Sequence, residues 1–185
     1  MFFGAVPTDC IQQVFKIMDI QSWSDVHVCC SGSFRLERAL STTFDSVRIH
    51  SNDVSVYSAA VGGLATGQPI EVEFIEDLAF VQELVAGKSD IEKVAAILVG
   101  CEMSRYARAT TQYNRHHMRH YTNHFADFMA RTAEKVEKSV ATMRLSSYFG
   151  GDWRIHADRA VEMGSGILAF PPFFKGDYEE QFAFI

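Results

Sequence analysis

The sequence predicts an α/β domain built on a doubly wound parallel sheet, and three observations carry the prediction. Residues 26–30 and 47–50 are short apolar runs, each followed by small or polar residues and then a helical pattern. Two such strand-turn-helix units in succession are the signature of parallel strands joined by crossover helices. The same order resumes near the carboxyl end, after a long stretch that reads as helix. A chain of 185 residues with 48% hydrophobic and 22% charged residues suffices for one cored domain carrying an insertion.

The elements follow in order. Thr8 is the expected cap of a first helix whose Ile11, Val14, Phe15 and Met18 share one face, with a stop near Asp19. Residues 26–30 form the first strand, Ser31-Gly32-Ser33 the turn, and residues 34–40 the second helix. Residues 47–50 form the second strand, closed by Ser51-Asn52-Asp53, and residues 54–64 a helix ended by Gly67 and Pro69. From Glu71 to Arg144 the chain reads as helical apart from Val72-Glu73-Phe74, and Ser89 with Glu92 makes a capping box. A third strand is expected at Tyr148-Phe149, a short helix around His156, and a last strand over residues 166–170. The expected organisation is therefore 1–70 as the first part of the core, 71–145 as a helical insertion, and 146–185 as the second part of the core.

Charge and composition exclude several classes. A net charge of -6 rules out a uniformly basic nucleic-acid or membrane binder. No apolar run approaches a membrane span, no leader precedes the first helix, and the four cysteines lack the spacing of a zinc site, so they read as reduced core residues of a cytoplasmic protein. The apolar ending Phe182-Ala183-Phe184-Ile185 suggests a piece of something longer.

Four places hold candidate chemistry. Cys30-Ser31-Gly32-Ser33 opens a helix, where main-chain amides approach an anion closely; a tight structural turn fits the same residues. Asp53 closes the second strand and accepts ribose hydroxyls from there, or else caps the next helix. Phe170-Pro171-Pro172-Phe173 ends the last strand with outward carbonyls and aromatics, unless it is an apolar loop on the core. Residues 103–126 carry Arg105, Arg108, Arg115 and Arg119 with no acidic residue, which leaves -10 on the rest of the chain. Tyr106, Tyr113 and Tyr121 interleave as base-stacking candidates; the alternative is a solvated face with its aromatics in the core. His116, His120 and His124 recur every four residues, yet no carboxylate or cysteine completes a metal site, and no metal is assigned.

Read together, these motifs resemble the class I S-adenosylmethionine-dependent methyltransferases, more closely the Dam-like DNA adenine methyltransferases, and above all a phage-associated antirestriction group. Cys30-Ser31-Gly32-Ser33-Phe34 resembles the methionine-binding loop, and His50-Ser51-Asn52-Asp53-Val54 the acidic ribose-binding strand end. Gly151-Asp152-Trp153 resembles the adenine-side motif and Phe170-Pro171-Pro172-Phe173 the catalytic tetrapeptide. The resemblance implies a Rossmann-like sheet with its fourth strand beside its first, S-adenosylmethionine as donor, DNA as acceptor, and the arginine-bearing insertion as the target-recognition region. Cofactor contacts are then expected from Cys30, Ser31, Gly32, Ser33, Phe34, Asn52, Asp53, Asp152 and Trp153.

Two departures stand out. The family's tetrapeptide begins with Asp, Asn or Ser, whose oxygen orients the target amine; Phe170 has none, leaving the Pro171 carbonyl, with Asp177 as a substitute from the loop. Methyltransferases of this fold also continue past the fourth strand. A homodimer partner or a missing carboxyl-terminal region is therefore expected against that strand. The alternatives to a DNA-modifying enzyme are an inactive antirestriction or DNA-binding protein of the same fold, and an enzyme acting on another acceptor such as RNA.

Overall fold

The computed structural model describes residues 6–107 and 111–170. Four strands lie parallel in the order β3-β2-β1-β4, namely β1 (Asp25–Cys29), β2 (Arg48–Asn52), β3 (Leu145–Phe149) and β4 (Gly166–Ala169). This is the α/β sheet that the alternating pattern predicts, and β4 does lie beside β1. The chain steps outward from β1 to β3 and then crosses back to β4, so the order in which strands are added reverses between β1 and β4 while all four stay parallel. At such a reversal the loops leaving neighbouring strands part and open a crevice.

The helices that cover this sheet are α1 (Thr8–Ile17), α2 (Arg35–Thr43), α3 (Val56–Thr66) and α8 (Trp153–Glu162). Between α3 and β3 run α4 (Phe80–Val85), α5 (Asp90–Ser104), α6 (Gln112–Asn123) and α7 (Phe125–Ala141). The chain divides into two compact units, one running to Gln68 and resuming at Ser139, the other from Pro69 to Lys138. The expected capping box forms at the start of α5, with Ser89 and Glu92 each satisfying the other's amide.

In the sheet unit, period-two alternation sorts β1 onto two unlike faces. Val26 and Val28 join Ile11, Leu36, Leu40, Ile49 and Leu168 in the apolar core under α1 and α2. Asp25, His27 and Cys29 point the other way, toward α8, where the Cys29 thiol reaches the Trp153 carbonyl. All five residues of β1 are buried, as expected of a central parallel strand.

Several boundaries differ from expectation for local reasons. Pro7, not Thr8, occupies the cap of α1, because proline supplies the φ of -59° and has no amide to satisfy. The third helix is capped by Ser55, whose hydroxyl accepts from the Ser58 amide, so Asp53 is freed from that duty. Residues 72–74 join no strand. Of the four cysteines only Cys29 is fully buried; Cys10 is exposed and all four are free. Among the described residues no strand lies on the outer side of β4, and no helix is long and apolar enough to cross a membrane.

Candidate functional site

The carboxyl ends of β1 and β2 are tied into one structure by the loop that follows β1. Cys30, Gly32 and Phe34 all take positive φ, 63°, 54° and 57°. Glycine adopts this region without cost, whereas Cys30 and Phe34 must be held there by their surroundings. The Ser31 amide donates to the Asn52 carbonyl (2.9 Å), and the Asn52 amide to the Ser31 hydroxyl (3.2 Å). The Gly32 amide donates to Asp53 Oδ2 at 2.8 Å, and the Gly32 carbonyl accepts from the Ser58 hydroxyl at 2.8 Å. Both main-chain polar groups of Gly32 are thus held from α3 and its approach.

Asp53 is half-buried, with Oδ1 accepting from the Ser55 amide at 2.8 Å. Each carboxylate oxygen therefore takes one main-chain amide and keeps a lone pair open for a hydroxyl. Its own carbonyl accepts from the Tyr148 hydroxyl at 2.7 Å. Helix α2 starts from Phe34 with no side-chain cap, so its first-turn amides face the same loop.

Behind the loop stands an acid that the sequence pattern gave no reason to single out. Glu37 is fully buried on α2, with Oε1 accepting from the Ser51 hydroxyl at 2.7 Å. Ser51 in turn lies 3.2 Å from the Ser31 hydroxyl. Burial pushes the Glu37 carboxyl up to about 7 against the pull of the Ser31 and Ser51 hydroxyls. Its Oε2 has no hydrogen-bond partner among the described residues.

Two residues expected to touch a cofactor are placed otherwise. Asn52 is wholly buried, and its Nδ2 donates to the carbonyls of Phe149 (2.8 Å) and Gly151 (2.7 Å). It clamps the end of β2 to the turn after β3 and does not face solvent. Phe34 is 1% exposed, its ring 6.0 Å from that of Tyr148. It braces the loop from within, because a large apolar ring gains more from the core than from the crevice. Cys30, Ser31 and Ser33 are half-buried along the loop, and burial pushes the Cys30 thiol up to about 11, which keeps it protonated and inert.

Asp152 caps α8, accepting from the Arg154 amide at 2.9 Å, and that bond holds its carboxyl below the usual range. Trp153 beside it is 39% exposed, with the Arg154 guanidinium 5.5 Å from the ring centre. The Phe170 amide reaches the Cys29 carbonyl at 3.5 Å, which places Phe170 next to Cys30 at the two strand ends. Its ring packs on the apolar core. Pro171, Pro172, Phe173 and Asp177 lie outside the described residues, as does Arg108.

In the helical unit, Arg115 and Arg119 are exposed on α6 and no carboxylate among the described residues pairs with either, whereas Arg105 is paired to Glu102 at 3.2 Å. The three interleaved tyrosines separate. Tyr106 stacks on His117 and Tyr121, and Tyr121 on Phe128, while Tyr113 is 65% exposed. Two of the three expected base-stacking rings are therefore spent on packing within the unit. His124 lies past the end of α6 as its cap, with its ring centre 4.9 Å from that of His120. Among the described residues no group of histidine, cysteine or carboxylate converges as a metal site.

A second cluster lies on the α8 face of the sheet. His27 lies between His50 and His156, each ring centre 4.6 Å away, stacked on the first and tilted against the second. His50 bridges Asp25 (2.9 Å) and Ser147 (2.8 Å), and Arg48 closes the row on Asp25 at 2.6 Å. A signal for this layer was present, since polar residues alternate in step along both strands, at 25 and 27 and at 48 and 50.

Compared with known proteins, the chain matches the family model described as Phage DNA Adenine Methylase-like domain 1 over residues 2–185. No curated protein and no solved structure matches.

Proposed function

Since the chain belongs to the phage DNA adenine methylase-like family, we propose that it binds S-adenosylmethionine across the ends of β1 and β2 and directs the methyl group to an adenine in DNA. The observation that carries this reading is the Gly32 amide held on the Asp53 carboxylate, 2.8 Å apart, where the loops leaving the neighbouring strands β1 and β2 meet. A loop without a side chain at Gly32, uncapped amides at the start of α2 and a carboxylate with lone pairs to spare suit a ligand that has an anionic end and a ribose.

In this reading Ser31, Gly32 and Ser33 hold the methionine end, Asp53 accepts from the ribose hydroxyls, and Asp152 with Trp153 flanks the adenine. The donor, when bound, supplies an electrophilic methyl on sulfur. Phe170 begins the acceptor side and brings no side-chain oxygen, so the target amine depends on main-chain carbonyls. Arg115 and Arg119 hold phosphates, with Arg105 and Arg108 beside them in sequence. The role that fits this chemistry is protection of phage DNA from host restriction.

Calorimetric titration of S-adenosylmethionine tests the donor site. Wild type is expected to give a saturable heat and Asp53→Ala a tenfold or weaker affinity, about 1.4 kcal/mol or more, as for a lost hydrogen bond to a charged group. Asp53→Asn, which keeps the shape, separates charge from loop collapse. Equal heats in wild type and both variants, or none in any, remove the assignment.

One observation favours a second reading. With the Phe170 ring on the core, the family's polar start to the tetrapeptide is missing. A protein that binds donor and DNA without transferring methyl would show saturable donor heat and no label on any DNA, hypermodified DNA included.

A further inference from the structure

Glu37 stands behind the loop at Ser31, and the role it has there rests on the donor reading of that loop. A wholly buried carboxyl without a cation beside it carries a desolvation cost that an apolar side chain would avoid. Arg35 and Arg38, its neighbours on α2, reach away to the Val6 carbonyl and the Ser139 hydroxyl. The titratable groups that face it are Asp53 beyond β2 and Tyr148 on β3, neither of them cationic. Yet Glu37 is connected to something specific. Its Oε1 takes the Ser51 hydroxyl at 2.7 Å, Ser51 lies 3.2 Å from Ser31, and Ser31 exchanges hydrogen bonds with the Asn52 main chain. The other oxygen, Oε2, is buried and without a hydrogen-bond partner among the described residues.

We propose that Glu37 is a positioning residue of the donor loop, setting through the Ser51 and Ser31 hydroxyls the geometry in which Gly32 meets the donor. The hydroxyl relay responds to the carboxyl because a carboxylate accepts a shorter, stronger hydrogen bond than the neutral acid. Ionising Glu37 therefore tightens Ser51, reorients Ser31 and adds a negative charge behind amides that receive an anionic group. A merely structural buried acid would leave the loop indifferent to its proton.

The test follows the amide resonances of Ser31, Gly32 and Ser33 in the full chain from about pH 5.5 to 8.5, without donor, in wild type, Glu37→Gln and Ser51→Ala. The expected result is a shared midpoint near neutrality in wild type, absent from Glu37→Gln and strongly reduced in Ser51→Ala. Donor affinity measured at the two ends of that range is then expected to change by a larger factor in wild type than in Glu37→Gln. Flat loop amides in wild type overturn the proposal, as does a titration that survives Glu37→Gln. If Glu37→Gln fails to fold, Ser51→Ala keeps the question open to decision, since a wild-type titration it does not weaken also overturns the relay. Loop amides that titrate with Glu37 while no donor binds would sink the donor reading and leave the relay standing. Donor binding with unresponsive amides would do the reverse.

Discussion

Among the described residues, neither ring nitrogen of His27, which is 3% exposed, has a hydrogen-bond partner, and one oxygen of the fully buried Glu37 has none. Each such group costs about 1–3 kcal/mol. Their protons act on stability in opposite directions. Burial pushes the His27 imidazole from 6.5 down to about 4. The unfolded chain binds that proton below about pH 6.5 while the folded one refuses it, so stability falls as pH drops from there toward 4. For Glu37 the folded chain keeps its proton up to about 7 while the unfolded one releases it near 4.5, so stability falls as pH rises through that interval. Each effect reaches about 3 kcal/mol at its far end. In wild type the two largely offset each other, with the lowered His156 adding to the acid-side loss. Urea midpoints between about pH 5 and 7 should accordingly rise with pH more steeply in Glu37→Gln than in wild type, and less steeply, or fall, in His27→Phe. Parallel profiles in the three proteins would contradict both burial assignments.

Among the elements, α3 and β3 depend on a missing side chain. A Cβ on Gly62 would sit 2.2 Å from the Tyr148 ring, which is buried and cannot swing aside. Gly62→Ala should destabilise the protein by about 1–3 kcal/mol, measured by denaturant unfolding. It should also weaken the Tyr148 hydroxyl's hold on the Asp53 carbonyl and thereby donor binding. An unaltered midpoint would mean that α3 stands off further than the contact implies. The capping box at Ser89 was legible because its residues are four positions of continuous chain. Pro7 and Ser55 were not chosen in advance as caps, because several polar residues stood near each helix start and only the final path of the chain selects one.

At the scale of the molecule, the chain is acidic overall but keeps an acid-free arginine segment in the helical unit. Phosphate binding by such a face releases counterions, and each phosphate neutralised on duplex DNA adds about 0.9 to the slope of log affinity against log salt. Replacing Arg115 and Arg119 together by alanine should lower that slope by about 2. Arg105→Ala should change it less, since Glu102 already holds that guanidinium. An unchanged slope in the double variant would move the DNA contact elsewhere. The order of elements and the parallel sheet were readable from alternation and turn chemistry, because those signals are local and repeat along the chain, whereas β4 beside β1 followed from the family resemblance.

The sequence by itself determined the α/β class and the separation of charge, since each follows from residues a few positions apart. Tertiary structure alone decided that Asn52 and Phe34 turn inward, that Asp53 grips Gly32, and that Tyr106 and Tyr121 stack within their own unit. It also decided that Glu37 lies behind the loop and that three imidazoles meet beneath α8. Those outcomes depend on which side chains from distant segments share a buried face, and burial is set by packing that no local stretch of chain contains.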